Sequence, residues 1–243
     1  MRVIDNLGDL KERARRVCRR LFHRVYHPYA LRQIAKPVTA LRGLSLLTDP
    51  EVFHPVHFLS TPVFVDYVAT FDLAGKRLLD MGTGSGAVGI SAARRGAQVT
   101  ACDINPRAVV LARDNARRNG VDMEILESDL FSSLGGRMFD LICFNLPFYP
   151  GRPATPFEAA FFGGPAFETI SAFAAGCGGA LAPGGTVAVI ISEDSGHDRI
   201  VSLFMGAGFA PIDDRAARNF FERFHLLRFR PDPGGAPSSP VNR

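Results

Sequence analysis

Residues 78–86 read Leu-Leu-Asp-Met-Gly-Thr-Gly-Ser-Gly, and the next apolar run, Gln98–Asp103, ends on a carboxylate. The first stretch is a buried strand that breaks into alternating glycines and then starts a helix. Glycine admits left-handed backbone angles and leaves no side chain between main chain and ligand. In open α/β sheets ligands bind at the carboxyl ends of the strands. Gly82, Thr83, Gly84 and Gly86 therefore form a candidate cradle, with Asp80 two residues before the first glycine and Asp103 one strand over. A third apolar run, Phe139–Phe144, closes on Asn145-Leu146-Pro147-Phe148, polar and then aromatic.

Outward from this centre, strand and helix patterns alternate. The sequence predicts strands at Lys76–Gly82, Gln98–Asp103, Met123–Glu127, Phe139–Phe144 and Thr186–Ile191, and an edge strand at Phe221–Arg230. Helices are expected over Ala87–Arg95, Arg107–Asn119 with Pro106 at its start, Phe167–Leu181 ending at Ala182-Pro183-Gly184-Gly185, and Asp198–Gly206. Such alternation means a parallel sheet with helices on both faces. Residues 37–62 read as irregular, punctuated by Pro37, Pro50, Pro55 and Pro62. Residues 231–243, rich in Pro, Gly and Ser, read as a disordered tail.

Charge is distributed unevenly. Residues 1–45 hold eleven Lys or Arg against Asp5, Asp9 and Glu12, a surplus of eight, so the remainder is net −4 within a chain of net +4. Leu10, Ala14, Val17, Leu21 and Val25 make one apolar stripe, and Arg13, Arg16, Arg19, Arg20 and Arg24 fall off it, predicting a helix with a basic face. That face is either a solvated surface or an attraction to RNA phosphates or an anionic membrane. Three parts follow: a basic helical extension (1–45), a catalytic domain (46–230) and the tail (231–243). The 47% apolar content suffices for a sizeable core, and twenty Phe with no Trp favours packing and stacking. Cys18, Cys102, Cys143 and Cys177 form no CxxC pair, which predicts a reducing, cytoplasmic setting with no disulfide framework and no zinc site. The start lacks a signal-peptide core, and no run is long and apolar enough to span a membrane.

Gly84-Ser85-Gly86-Ala87-Val88-Gly89 also fits the GxGxxG of dinucleotide binding. Two features decide against it. Asp80 suits the cationic amino-acid moiety of a ligand better than a pyrophosphate, and a dehydrogenase has no use for Asn145-Leu146-Pro147-Phe148. With Asp103 placed for ribose hydroxyls, these elements resemble the class I S-adenosylmethionine-dependent methyltransferases. More narrowly, residues 50–212 resemble the HemK-like (protein glutamine) and small-domain RNA guanine methyltransferases. Asp103-Ile104-Asn105-Pro106-Arg107-Ala108, the stretch 114–121, Phe162-Gly163-Gly164-Pro165 and the stretch 190–209 carry that likeness. The resemblance implies a Rossmann-like, seven-stranded, mostly parallel sheet, S-adenosylmethionine as cofactor and S-adenosylhomocysteine as product. It also implies Asp129, followed by Leu130, at the adenine amino group and Ile104 against the adenine ring. The alternative for Asp129 is a turn cap.

Methylating an amide or aryl amine is hard because the nitrogen lone pair is delocalised. The Asn145 side-chain oxygen and the Leu146 carbonyl can accept its N–H groups and align it, Pro147 stiffens the turn, and Phe148 can stack on the planar group. Leu146 and Phe148 depart from the common Asn-Pro-Pro-Tyr. A dedicated helical domain for recognising release factors is not seen, and the basic segment stands in its place. The acceptor is then an RNA base, a protein glutamine or a small molecule, the first two reached through residues 1–45. The competing reading is an inactive scaffold of the same fold. Residues 149–167, with Phe157, Phe161, Phe162 and Phe167, form either a substrate wall or an ordinary packed loop. His54, Glu193 and His197 read as structural.

Overall fold

The computed structural model describes residues 37–218 and 222–232. The helix expected within 8–27, the basic character of the extension and most of the proposed tail lie outside the described residues.

Two short strands, β1 (Val38–Leu41) and β2 (Leu44–Leu47), form an antiparallel hairpin. Its turn residues Arg42 and Gly43 both take positive φ, 47° and 77°, the geometry that matches the twist of a two-residue hairpin. Leu41, Leu44 and Leu46 are buried in the core. Helix α1 (Ser60–Val68) follows. This segment was expected to be irregular up to residue 62. Pro62 falls in the helix's first turn, where its missing N–H costs nothing. Phe64, Val65 and Val68 then bury one face, so packing overrides the weak helix propensity of the valines.

The main sheet has seven strands: β3 (Arg77–Met81), β4 (Gln98–Asp103), β5 (Glu124–Glu127), β6 (Phe139–Asn145), β7 (Leu181–Ser192), β8 (Phe209–Arg218) and β9 (Arg223–Pro231). Their order is β5-β4-β3-β6-β7-β9-β8, parallel through β7 and antiparallel at β9 and β8. Helices α2 (Ala87–Ala93), α3 (Pro106–Arg118), α4 (Glu168–Ala180) and α5 (His197–Gly206) supply the crossovers. Side chains alternate along β3. Leu78 packs with α1, α2 and α3 in one core, while Leu79 and Met81 pack with α4 and α5 in the other.

The structure corrects two sequence readings here. The strand over 223–231 is interior, hydrogen-bonded to β7 on one side and β8 on the other. The edge is β8, which was not foreseen. Its sequence, Phe-Ala-Pro-Ile-Asp-Asp-Arg-Ala-Ala-Arg, is mostly exposed, charged and carries a proline, features that blunt an edge strand and erase the alternating pattern. In addition, Ala182-Pro183-Gly184-Gly185 does not separate helix from strand. β7 already begins at Leu181, which pairs with Phe139 before the register shifts.

Among the described residues no helix is long and apolar enough to cross a membrane. Cys102, Cys143 and Cys177 are buried and free.

Candidate active site

The glycine turn is held open from beneath. Gly82 has φ 62°, and a β-carbon there would sit 2.5 Å from the Phe144 ring. Gly84, at φ 54°, faces open space, its virtual β-carbon reaching only Val52 at 3.9 Å. Thr83 N–H donates to the Cys102 carbonyl and Gly86 N–H to the Thr83 carbonyl. Asp80 is fully buried. Its Oδ2 accepts from Thr83 Oγ1 at 2.6 Å and from Gly89 N–H at 2.9 Å. Burial pushes its carboxyl up to about 6, and these two donors oppose the rise.

One strand over, Asp103 accepts from Gly84 N–H through Oδ2 and from Asn105 N–H through Oδ1, both at 2.9 Å. Burial raises its pKa while these backbone donors hold it down. The next residue, Ile104, is 52% exposed, an apolar side chain left uncovered beside the turn. Asn105 caps α3 by accepting from Arg107 N–H, and its amide donates to the Glu51 carbonyl, which ties residues 49–53 to the site. Beyond β5, Ser128 Oγ donates to the Leu130 carbonyl and accepts from Ser133 N–H, shaping the bend that presents Asp129.

A cavity of about 320 Å³ connects these groups. Asp80, Gly82, Thr83, Gly84, Asp103, Ile104, Asp129, Leu130, Asn145 and Pro147 all line it, so most of the predicted residues do converge. Three stand apart. Gly86 begins α2, packed on Ile90 and Ala112. Leu146 and Phe148 are buried and line, with Asn145, a neighbouring void of about 10 Å³ beside Phe53, Tyr149 and Phe161. The Phe148 ring meets Tyr149 edge-on at 4.9 Å. Hence Phe148 supports the turn from behind and does not wall the main cavity. Sequence reasoning did not single out Asn105 or Ser128 as lining residues. Of the two readings left open for 149–167, the wall is the one the lining favours: Phe157 and Phe162 close the cavity, and isolated bridges pair Phe148 and Tyr149 with Phe162 and Gly151 with Gly164.

Asn145 ends β6, level with Ile190 of β7. Its Nδ2 donates to Ser60 Oγ at 3.0 Å. That bond orients the amide, leaving Oδ1 as the free acceptor end. Ser60 itself is buried at the start of α1, so a distant segment fixes the side chain that the motif supplies. His54 is a turn former: its Nδ1 accepts from Val56 and His57 N–H, and burial, aided by His57, pushes its pKa down to about 4.

The residues fit a nucleoside bearing a cationic amino acid. Asp103 offers two oxygens for ribose hydroxyls, Gly84 leaves space where a side chain would stand, Ile104 offers an apolar face, and Asp80 lies in the cavity floor. Strand order, glycine turn and carboxylate together define a class I S-adenosylmethionine-dependent methyltransferase. Residues 44–210 match the model of the methyltransferase small domain. The chain belongs to that family, in its HemK-like branch. A Methanocaldococcus jannaschii protein named as a protein N5-glutamine methyltransferase is 32% identical over 178 residues, 71% of this chain and 88% of that one. Ribosomal RNA small subunit methyltransferase C of Chromohalobacter salexigens is 33% identical over 179 residues, 72% of this chain, which spans only 50% of that relative's length. Among solved structures, that of the E. cuniculi Mtq2–Trm112 complex shares the fold with a TM-score of 0.59 at 20% identity, covering 75% of this chain and 99% of that one.

Proposed function

We propose that the chain methylates the side-chain amide nitrogen of a protein glutamine. The observation that carries this reading is the Asn145 amide, fixed by Ser60 with its oxygen free, on the same cavity as Asp103 and the glycine turn. When bound, S-adenosylmethionine supplies a methyl group on a sulfonium, poised for transfer. Asp103 holds the ribose hydroxyls, Asp129 the adenine amino group and Ile104 the ring. Asn145 Oδ1 accepts a hydrogen bond from an N–H of the acceptor amide and turns its lone pair toward the methyl group; Leu146, which lies off the cavity, supports the turn instead. Positive charge grows on that nitrogen during transfer and the Asn145 oxygen stabilises it; the sulfonium leaves as the neutral thioether, and the methylated nitrogen then gives its extra proton to solvent. Pro147, Phe157 and Phe162 exclude water. The division into extension, catalytic domain and tail, with the extension as a contact for the acceptor, is part of the proposal.

An RNA base amine is the second reading, favoured by the eight surplus positive charges of residues 1–45 and the ribosomal RNA methyltransferase relative. No observation favours the inactive scaffold. Transfer of tritiated methyl to cell extract, followed by separation of protein from RNA and exhaustive enzymatic digestion of each, decides between them. We expect label in protein, recovered as N5-methylglutamine. Label confined to RNA makes the second reading correct.

Asp80 gives a pH signature. Its folded pKa, about 6, lies above the unfolded value of 3.8, so its stabilising contribution is complete below pH 4 and is lost as pH rises through 6. Asp80→Asn should therefore stabilise the free protein at pH 7.5 by roughly 2–3 kcal/mol relative to wild type, and by nothing at pH 4. Affinity for the cationic cofactor should rise between pH 5 and 7 in wild type and stay flat in the variant. A calorimetric series in which both proteins behave alike would remove Asp80 from the cofactor's ammonium group.

A further inference from the structure

Near the carboxyl end of β7, on the antiparallel side of the sheet, three residues from separate elements meet. His197 opens α5, Asp214 lies on β8 and His225 on β9. His197 Nε2 is 2.9 Å from Asp214 Oδ2, and His225 Nδ1 is 3.0 Å from Asp214 Oδ1. The two rings lie 4.5 Å apart, and the three candidate ligand atoms all fall within 4.8 Å of one another. The far nitrogen of His197, Nδ1, meets Asp198 Oδ1 at 2.9 Å. None of the four residues lines the cofactor cavity.

As a hydrogen-bonded chain, this arrangement requires His197 to carry protons on both nitrogens, an imidazolium between two carboxylates. A metal ion satisfies the same geometry with neutral rings. Two imidazoles and a carboxylate are a common ligand set for zinc in proteins, at about 2.0–2.2 Å from the ion, which puts tetrahedral ligands about 3.3 Å apart. The nearest separations here already bracket that value from below, and the widest closes by a movement of the half-buried side chains. A histidine that ligates through one nitrogen almost always donates the other N–H to a carboxylate or carbonyl, which is the placement of Asp198 against His197. Two carboxylates and two neutral rings also balance a dication.

We propose that His197 Nε2, His225 Nδ1 and the Asp214 carboxylate bind one zinc ion, with Asp198 orienting His197. The ion pins the start of α5 to both strands of the β8–β9 hairpin and so braces the exposed edge of the sheet. Three protein ligands leave its fourth position open to water. Cysteine spacing gave no hint of such a site, because its ligands are contributed by a helix and two strands.

The test uses the full chain, stripped with a chelator, dialysed, and titrated with zinc alone by calorimetry at pH 7.5, with cobalt(II) absorption as a readout of nitrogen and oxygen coordination. One equivalent should bind at micromolar concentration or tighter, and the thermal midpoint should rise by several degrees. His225→Gln and Asp214→Asn should each weaken uptake at least tenfold while leaving S-adenosylmethionine affinity unchanged, which also shows that they fold. Wild-type protein that takes up no zinc overturns the proposal, whatever the variants do; the histidine–aspartate chain is then hydrogen-bonded only. Uptake that persists undiminished in both folded variants overturns it as well.

Discussion

Asn145→Ala is expected to lower kcat by about 10²–10³-fold, the scale seen when one preorganised polar group at a reacting centre is removed. The dissociation constant for S-adenosylmethionine should move by no more than about threefold. The reasoning is geometric. Asn145 touches the cavity through a side chain whose nitrogen is already committed to Ser60 at 3.0 Å. Only the oxygen remains to hold the acceptor, and alanine removes it without touching Asp103 or the glycine turn. The loss belongs in kcat because the interaction strengthens as charge grows on nitrogen. Single-turnover methyl transfer alongside calorimetry separates the two quantities. A stable, fully active variant would sink the amide clamp.

The second large effect is on binding. Asp103→Ala should weaken S-adenosylmethionine by about 1–3 kcal/mol, roughly 5–150-fold in Kd, the cost of lost hydrogen bonds to a charged group. Two contributions add. The ribose loses both acceptors, and the N–H groups of Gly84 and Asn105 lose the oxygens that position them. Asp103→Asn, similar in shape but with a single acceptor oxygen, should fall between alanine and wild type. Titration of the three proteins side by side checks this, and equal affinities would place the ribose elsewhere.

These two residues were legible in the sequence because each ends a strand beside a recognisable turn. The central strands were legible for a related reason: strands buried on both faces are near-continuous apolar runs. What escaped arrives from a distance or lacks a pattern. Ser60 orients Asn145 from 85 residues upstream. Phe148 looked like a stacking platform, yet its ring turns behind the loop toward Tyr149, since a motif specifies the order of residues and packing specifies the direction of a side chain. Helix α1 was hidden by Pro62 and its valines. β8 was hidden by the charges that protect an edge, and without it β9 was read as the end of the sheet.

The side chain of Asn115, on α3, accepts from Leu47 N–H at 2.6 Å and donates to the Leu47 carbonyl at 3.1 Å and to the Ser85 carbonyl at 2.8 Å. It thus fills the outer hydrogen-bonding position of β2 at Leu47 as another strand would, as Asn119 does at Ser45, and grips the glycine turn with the same amide. Hairpin and turn therefore share one opening event. Any occupant that steadies the turn must also slow solvent exchange at the backbone amide of Leu47, although Leu47 does not line the cavity.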